Sequence, residues 1–323
     1  MARYVSERKG IEMIKYYTTN KGVLETINKP VKGCWINMVH PTEKECQEIE
    51  DKYNIDPDDL RAALDEEEIS RVTKEDDYTL ILVDIPTVEE REGKDRFVTI
   101  PAATIVHKDV LITVCLESTP ILNFTKKNKP DVDTSFKTRM VLTLLLENAK
   151  LYLKYLRQIN KKTEELEHDL HKSVENPVLL ELMELGKSLL YFNTSLKSNT
   201  AVLEKLTKFQ FIKKYEEDED LMEDVLIETR QASEMADVYS GVINGTMDAY
   251  ASIISNNMNV IQKFLATASI VIAIPSIIFD AYGMNISGIV PFEGMTHQFL
   301  IIVLIALVSS LLTIQYLKHK RMY

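Results

Sequence analysis

The sequence predicts a mixed α/β domain, a long α-helical stalk and two C-terminal transmembrane helices. Segments rich in β-branched residues lie in the first third of the chain, amphipathic helical patterns fill its middle, and two apolar segments close it. We expect a cytoplasmic α/β domain with long amphipathic helices over 1–215, a stalk continuing into the first transmembrane helix over 216–283, an extracellular loop over 284–297, a second transmembrane helix over 298–317 and a basic cytoplasmic tail over 318–323.

The α/β part shows both strand and helix patterns. The segments 78–88 and 96–106 are rich in valine, isoleucine and threonine, which is typical of strands. A tight turn at 107–109 then leads into VLITVCLE, which predicts a hairpin. The segment 54–68 is predicted to be a helix because Pro57 and several acids lie near its start. Trp35, the only tryptophan, is expected in the core of this domain.

The middle of the chain predicts two long helices and a third, acidic one. Leucine and alanine recur at helical spacing from Lys137 onward, and Asn176-Pro177 marks a break between two helices. The acidic run EEDED at 216–220 opens another helical stretch, which we expect to continue without interruption into the membrane.

Composition excludes some classes of function. The formal net charge of −11 argues against a nucleic-acid-binding protein, which normally carries a basic surface. No glycine-rich phosphate loop, HExxH motif or nucleophile elbow is present, so an enzyme is not expected. Three cysteines without a CxxC pair indicate reduced thiols in the cytosol.

Two C-terminal segments are apolar enough to span a bilayer. Between Phe264 and Leu317 the only ionised acids or bases are Asp280 and Glu293. Each segment provides about 20 residues, the length needed to cross a hydrocarbon core of about 30 Å. A pair of buried core helices is the alternative, but charges flank the segments only on their outer sides.

The basic residues predict how these spans are oriented. Lys263 precedes the first span and the tail KHKR follows the second, whereas the loop 284–297 contains no lysine or arginine. The positive-inside rule therefore puts both termini in the cytoplasm of a multi-pass protein of the cell membrane.

A stripe of small and polar residues continues through the stalk into the first span. Its members recur at alternating spacings of four and three: Asp248, Ser252, Ser255, Asn259, Gln262, Ala266, Ser269, Ala273, Ser276, Asp280 and Gly283. Close helix packing explains the small members equally well. It does not explain Asp280, since an acid at membrane depth usually faces water or a partner. The stripe therefore predicts a pore, enclosed by a homo-oligomer with cyclic symmetry.

The sequence Tyr282-Gly283-Met284-Asn285, at the end of the first of two C-terminal spans, resembles the CorA family of divalent cation channels. The layout agrees over the whole chain, with close matching limited to its last part. The resemblance implies a funnel-shaped homopentamer in the lipid bilayer that passes Mg²⁺, and often Co²⁺ or Ni²⁺, into the cytoplasm.

The resemblance also implies roles for residues of the pore. Tyr282, Gly283, Met284 and Asn285 become the selectivity filter, which captures a hydrated ion through asparagine and backbone oxygens. Asn259 matches an inner pore asparagine, and Ser276 matches a pore hydroxyl. The other pore-lining residues expected from the stripe are Gln262, Ala266, Ser269, Ala273 and Asp280.

Regulation by Mg²⁺ is a further implication of the resemblance. The family binds regulatory Mg²⁺ between neighbouring cytoplasmic domains, and Asp224 matches the stalk acid of that site. Its partner is expected to be Glu89 or Glu90, where the family commonly has aspartate. Asp248 matches another stalk acid.

Two features depart from the family pattern. The outer loop usually carries Met-Pro-Glu-Leu after the asparagine, whereas this chain has ISGIVPFEG, which leaves Glu293 as the only acid of the loop. Asp280 stands where the family often has a small residue.

Two alternatives remain open at the level of the sequence. One is a zinc transporter of the same family, against which Met284 in the filter argues because a valine is expected there. The other is a membrane-anchored sensor or scaffold without ion flux, which would need neither the stripe nor Asp280.

Overall fold

The structure is a computed structural model of the chain. The residues that it describes are 14–91, 93–123, 132–172, 176–209, 211–212, 215–284 and 296–320. Contacts divide the chain into two compact units, Met1–Thr246 and Met247–Tyr323. The first unit contains the sheet, and the second contains the apolar helical segments.

A seven-stranded sheet forms the centre of the first unit. Its spatial order is β2-β1-β3-β7-β6-β5-β4, and only the β3–β7 pair is parallel among the described strands. The strands are β1 Ile14–Asn20, β2 Val23–Ile27, β3 Trp35–Val39, β4 Arg71–Lys74, β5 Tyr78–Arg91, β6 Lys94–His107 and β7 Leu111–Cys115. No prediction covered β1 to β4.

The strands predicted at 78–88 and 96–106 are confirmed as β5 and β6, which pair in antiparallel fashion along their full length. The hairpin predicted at 107–109 is confirmed as well, because the His107 amide donates to the Val110 carbonyl over 3.1 Å and β6 pairs with β7.

Two prolines mark where β5 and β6 leave the main sheet. β4 pairs with β5 only as far as Leu82, and β7 pairs with β6 only from Ala102. Pro86 and Pro101 lie beyond these limits, where each strand has only the other as a neighbour. Because proline cannot donate to a ladder, it is tolerated at such edges.

The helix predicted at 54–68 is wrong in its extent. Helix α1 covers Glu43–Tyr53 and was not predicted; α2 covers only Pro57–Arg61, and a short 3₁₀ turn follows at Ala62–Leu64. Asn54 ends α1 in the left-handed conformation, with φ 51°, and the Asp56 side chain caps α2 by accepting from the Asp58 amide.

Two long helices follow, as predicted. They are α3 Lys137–Lys172 and α4 Asn176–Lys208, so the break lies just before Pro177. The helical spacing of leucine and alanine places buried side chains of α3 on one stripe: Leu142, Leu145, Ala149, Leu153 and Leu156.

Hydrophobic clusters cover both faces of the sheet. One face packs against α3, α4 and the start of the stalk helix, and includes Trp35. The other packs against α1 and α2. Trp35 is fully buried, stacks on Tyr17 with ring centroids 4.8 Å apart, and donates from Nε1 to Thr113 Oγ1 over 2.9 Å. Its predicted place in the core is confirmed. The three cysteines are buried free thiols.

The stalk and the first apolar segment form one helix, as predicted. Helix α5 extends over Glu219–Gly283, and α6 over Gln298–His319. Both are long and apolar enough to cross a membrane. Pro275 lies inside α5 without ending it. The boundary between the two compact units falls inside α5, after Thr246.

We expect His107 to make stability depend on pH. Its buried Nδ1 accepts from the Asp109 amide over 3.1 Å, and its ring meets Tyr53 edge-on. Burial lowers the pKa of His107, so the unfolded chain binds a proton more readily. Stability from this group is complete above the unfolded pKa of about 6.5 and is lost as pH falls through the folded pKa.

The measurement is the midpoint of thermal unfolding in detergent at about pH 7.5 and at about pH 5.5, two values that lie on either side of the ordinary histidine pKa. The His107→Gln variant should show a smaller decrease over this interval than the wild type. His168→Gln, which changes an exposed histidine of α3, is the matched control. Equal pH dependence in all three proteins would contradict the prediction.

Candidate ion pathway and acidic residues

The predicted small and polar stripe lies on one exposed face of α5. Every member from Asp248 to Gly283 is exposed in the single chain. The half-buried side chains of the apolar segment lie on the opposite face of the helix: Thr267, Ala268, Val271, Ile274, Pro275, Ile278 and Tyr282. From Thr267 onward the chain leaves the stripe uncovered and half-buries the opposite face, whereas over 251–266 every side chain is exposed, the apolar ones included.

Hydroxyl groups on the stripe are bonded to their own helix. Ser252 Oγ donates to the Asp248 carbonyl over 3.0 Å, Ser269 Oγ to the Leu265 carbonyl over 2.8 Å, and Ser276 Oγ to the Ile272 carbonyl over 3.1 Å. A hydroxyl has one hydrogen and two acceptor lone pairs. These serines therefore present acceptor oxygens, and no further hydrogen, to whatever lies beyond the helix.

The polar stripe changes character along α5. Asn259 and Gln262 place amides on the exposed face, Ala266 and Ala273 alternate with the serines, and Asp280 is the last acid before α5 ends at Gly283. Small side chains permit close approach of another helix, whereas an exposed carboxylate requires water or a partner.

The predicted filter is described only in part. Tyr282 is half-buried, while Gly283 and Met284 are exposed at the end of α5. Asn285 and Glu293 lie outside the residues that the structure describes.

The predicted regulatory acids occupy two places in the first unit. Asp224 is exposed on α5, next to a stripe of buried residues that includes Val225, Ala232 and Ala236. Glu89 and Glu90 lie near the tip of the β5–β6 hairpin, about 130 residues earlier in the chain. Asp248 is exposed in the second unit.

A cleft of about 450 Å³ adjoins Glu89, between the β5–β6 hairpin and α4. Glu89 pairs with Arg91 over 2.8 Å, and Glu184 pairs with Arg96 over 3.0 Å. Hydrogen bonding from Lys187 lowers the pKa of Glu184. These partners were not predicted; for the Arg96–Glu184 pair the sequence carries no local signal, because α4 is remote from the hairpin.

A metal site is not assembled within one chain among the described residues, since no group of three or more histidine, cysteine, aspartate or glutamate side chains could hold an ion. Glu89 and Glu184, which line the cleft, are instead paired with arginine and lysine.

Comparison with known proteins agrees with this layout. The model of the family described as CorA-like Mg²⁺ transporter protein matches residues 32–319. The cobalt/magnesium transport protein CorA of Methanocaldococcus jannaschii is 29% identical over 258 residues, which cover 78% of this chain and 80% of that protein.

Solved structures share the fold. The complete structure of the CorA magnesium transporter from M. jannaschii matches with a TM-score of 0.81 at 23% identity, covering 95% of this chain and 98% of that one. The full-length CmaX protein gives a TM-score of 0.71 at 16% identity, with coverage of 97% and 99%. The ZntB cytoplasmic domain from Vibrio parahaemolyticus gives 0.60 at 9% identity, with coverage of 76% and 100%. Because the family match extends over residues 32–319, nearly the whole of the chain, this protein belongs to the CorA-like Mg²⁺ transporter family.

Proposed function

We propose that this member of a divalent cation transporter family is a channel for Mg²⁺ uptake into the cytoplasm. Five copies surround a pore and turn the α5 stripe inward, as the family resemblance implies. The observation that carries the proposal is the uncovered stripe, which continues along one face of α5 from Asp248 to Gly283. An anchor for a sensor or scaffold would not require it.

The filter selects a hydrated ion. Mg²⁺ dehydrates reluctantly and keeps several of its waters in most protein sites. A ring of Asn285 side chains, with the oxygens around Gly283 and Met284, accepts hydrogen bonds from those waters and does not hold the ion too tightly to release it. Serine oxygens at Ser269 and Ser276 continue this acceptor lining, because their hydrogens are already bonded to α5 carbonyls.

Acidic groups attract cations to the outer end of the pore. Asp280 forms a ring of carboxylates just inside the filter, and Glu293 contributes negative charge to the outer loop. Charge of one sign focused in a narrow path raises the local concentration of counter-ions.

Co²⁺ and Ni²⁺ pass by the same route as hydrated ions. Mg²⁺ remains the proposed principal substrate, since the M. jannaschii relative is named for magnesium and cobalt. Zinc transport is less well supported, because the ZntB likeness, at 9% identity, concerns the fold of a cytoplasmic domain.

Cytoplasmic Mg²⁺ regulates the channel by binding between neighbouring chains. Asp224 of one chain meets Glu89 or Glu90 of the next, while Asp248 provides a further acid on the stalk. The ion offsets repulsion between carboxylates and favours the closed state. A site shared between chains is consistent with the finding that one chain, over its described residues, assembles no metal-binding group.

We expect Asn285→Ala to reduce Mg²⁺ uptake into proteoliposomes by about tenfold or more, equivalent to at least about 1.4 kcal/mol in the barrier. The alanine removes the oxygen that accepts from the hydration shell. Asn257→Ala, which changes an exposed asparagine of α5 outside the stripe, should keep wild-type flux. The measurement is uptake reported by an entrapped Mg²⁺-sensitive dye. Equal flux in all three proteins would refute the filter assignment.

We expect Asp280→Asn to lower uptake by about tenfold at low ionic strength, and by less in concentrated salt, because screening removes the attraction. Glu165→Gln removes one exposed carboxylate on α3 and serves as the charge-matched control. Uptake of Mg²⁺, Co²⁺ and Zn²⁺ is compared at both ionic strengths. A loss that does not change with salt would contradict the electrostatic role of Asp280.

We expect Asp224→Asn to weaken protection by Mg²⁺ against limited proteolysis in detergent, because the variant lacks one carboxylate of the regulatory site. The Mg²⁺ concentration that gives half-maximal protection should rise about tenfold, which corresponds to a loss of about 1.4 kcal/mol of binding free energy. Glu223→Gln, the adjacent exposed acid, is the matched control. Unchanged protection in Asp224→Asn would rule out this residue as a sensor.

A further inference from the structure

The backbone at Asp84 is held by side chains of two helices. β4 ends its pairing with β5 at Leu82, so β5 continues past Asp84 without that neighbour. The Asp84 carbonyl accepts from Asn148 Nδ2 over 3.0 Å, Tyr152 Oη over 3.2 Å and Asn199 Nδ2 over 2.8 Å. The Asp84 amide donates to Asn199 Oδ1 over 2.9 Å. Amides of α3 and α4 thus replace the missing strand.

A small cavity lies beside these hydrogen bonds. It has a volume of about 10 Å³ and is bounded by β5, α3, α4 and the cytoplasmic part of α5. Each of its lining residues is buried: Val83, Leu145, Asn148, Ala149, Tyr152, Leu196, Asn199, Leu203 and Thr229. Thr229 is the residue that α5 contributes.

One acceptor on the cavity wall is unpaired. Asn148 uses its amide nitrogen for the Asp84 carbonyl, while its buried Oδ1 accepts no hydrogen bond from any residue that the structure describes. Asn148 is 5% exposed, so bulk water does not hydrate this oxygen. A buried acceptor without a donor is rare in native proteins, because burial removes its water and nothing replaces it.

The side chains that line the cavity determine which molecule or ion can occupy it. The volume is about that of one water-sized probe, which is the minimum for an ordered water. The lining has no carboxylate and no cationic side chain, and more than half of it is hydrocarbon. Mg²⁺ needs about six oxygen ligands, with carboxylates among them, so a cation is disfavoured. The occupant must therefore be a neutral molecule that both donates and accepts hydrogen bonds.

We propose that one internal water molecule occupies this cavity, donates to Asn148 Oδ1 and hydrogen-bonds to the Thr229 hydroxyl. The water joins α3 to α5 through polar contacts, beside the hydrogen bonds that hold the Asp84 backbone. Thr229 lies five residues beyond Asp224 on α5, so this water-mediated contact lies on the segment of α5 proposed to bind regulatory Mg²⁺. The water site itself does not depend on that proposal.

Cryo-electron microscopy of the full-length protein, at a resolution that shows ordered water, tests the site directly. The expected density lies about 2.7–3.2 Å from Asn148 Oδ1 and within hydrogen-bond reach of Thr229 Oγ1. An empty cavity, or an Asn148 oxygen paired with a protein donor, would overturn the proposal. Density with several oxygens at about 2.1 Å would indicate a cation and would overturn it equally.

Two variants of the full chain test the link to α5. Thr229→Val keeps the volume and removes the hydroxyl, whereas Thr229→Ser keeps the hydroxyl. We expect the valine variant to lose the water density and its α5 amides around 225–233 to exchange hydrogen about fivefold faster, while the serine variant matches the wild type. Equal density and exchange in both variants would refute the link. If Thr229→Val does not fold, the presence or absence of water density in the wild-type protein decides whether the proposal holds.

Discussion

One backbone position, Asp84, ties α3 and α4 to the sheet by hydrogen bonds, beside the apolar cluster that packs them there. Past the end of β4, the amide and carbonyl of this residue need partners, because an unpaired backbone group inside a protein is strongly unfavourable. Asn148 and Asn199 supply them, and this fixes the register of both helices against β5. Burial raises the pKa of the Asp84 carboxyl group. The two asparagines are therefore structural, in a region whose other lining is mainly aliphatic.

Helix α5 continues as one helix through two different environments, an aqueous one along its first part and hydrocarbon along its apolar segment. In the first unit it buries a stripe that includes Val225, Ala232 and Ala236 against the α/β domain. In its apolar segment, hydrocarbon offers no hydrogen bonds, so only a helix or closed barrel satisfies the backbone. Ser269, Ser276 and Asp280 lie on the exposed face of that segment, whereas Thr267 and Tyr282 are half-buried on the opposite face. This division of one helix into a packed face and an uncovered polar face is what makes assembly around an axis physically reasonable.

The sequence predicts the parts of this fold whose pattern repeats over many residues. The leucine spacing of α3, the apolar length of α6 and the β-branched runs of β5 and β6 are signals of that kind, and Trp35 was placed correctly by its chemistry. Strands β1, β2 and β4 are short and mostly half-buried or exposed, and β3 is short and almost wholly buried, so none of them shows a clear alternation. The extent of α2 depended on backbone angles at Asn54 and Asp56. Glu89 pairs with Arg91 of its own strand, whereas the side chains of α4 that line the same cleft are brought there only by folding.

Pro275 has a mechanical consequence for the apolar half of α5. Proline has no amide hydrogen, so the Val271 carbonyl receives no backbone hydrogen bond and the ladder is interrupted there. The apolar segment of α5 therefore bends most readily at Pro275, which acts as a hinge between two straight helical parts. The part after Pro275 extends eight residues to Gly283, about 12 Å. A tilt of about 10° at the hinge displaces its end by about 2 Å, the scale of a single metal–oxygen distance.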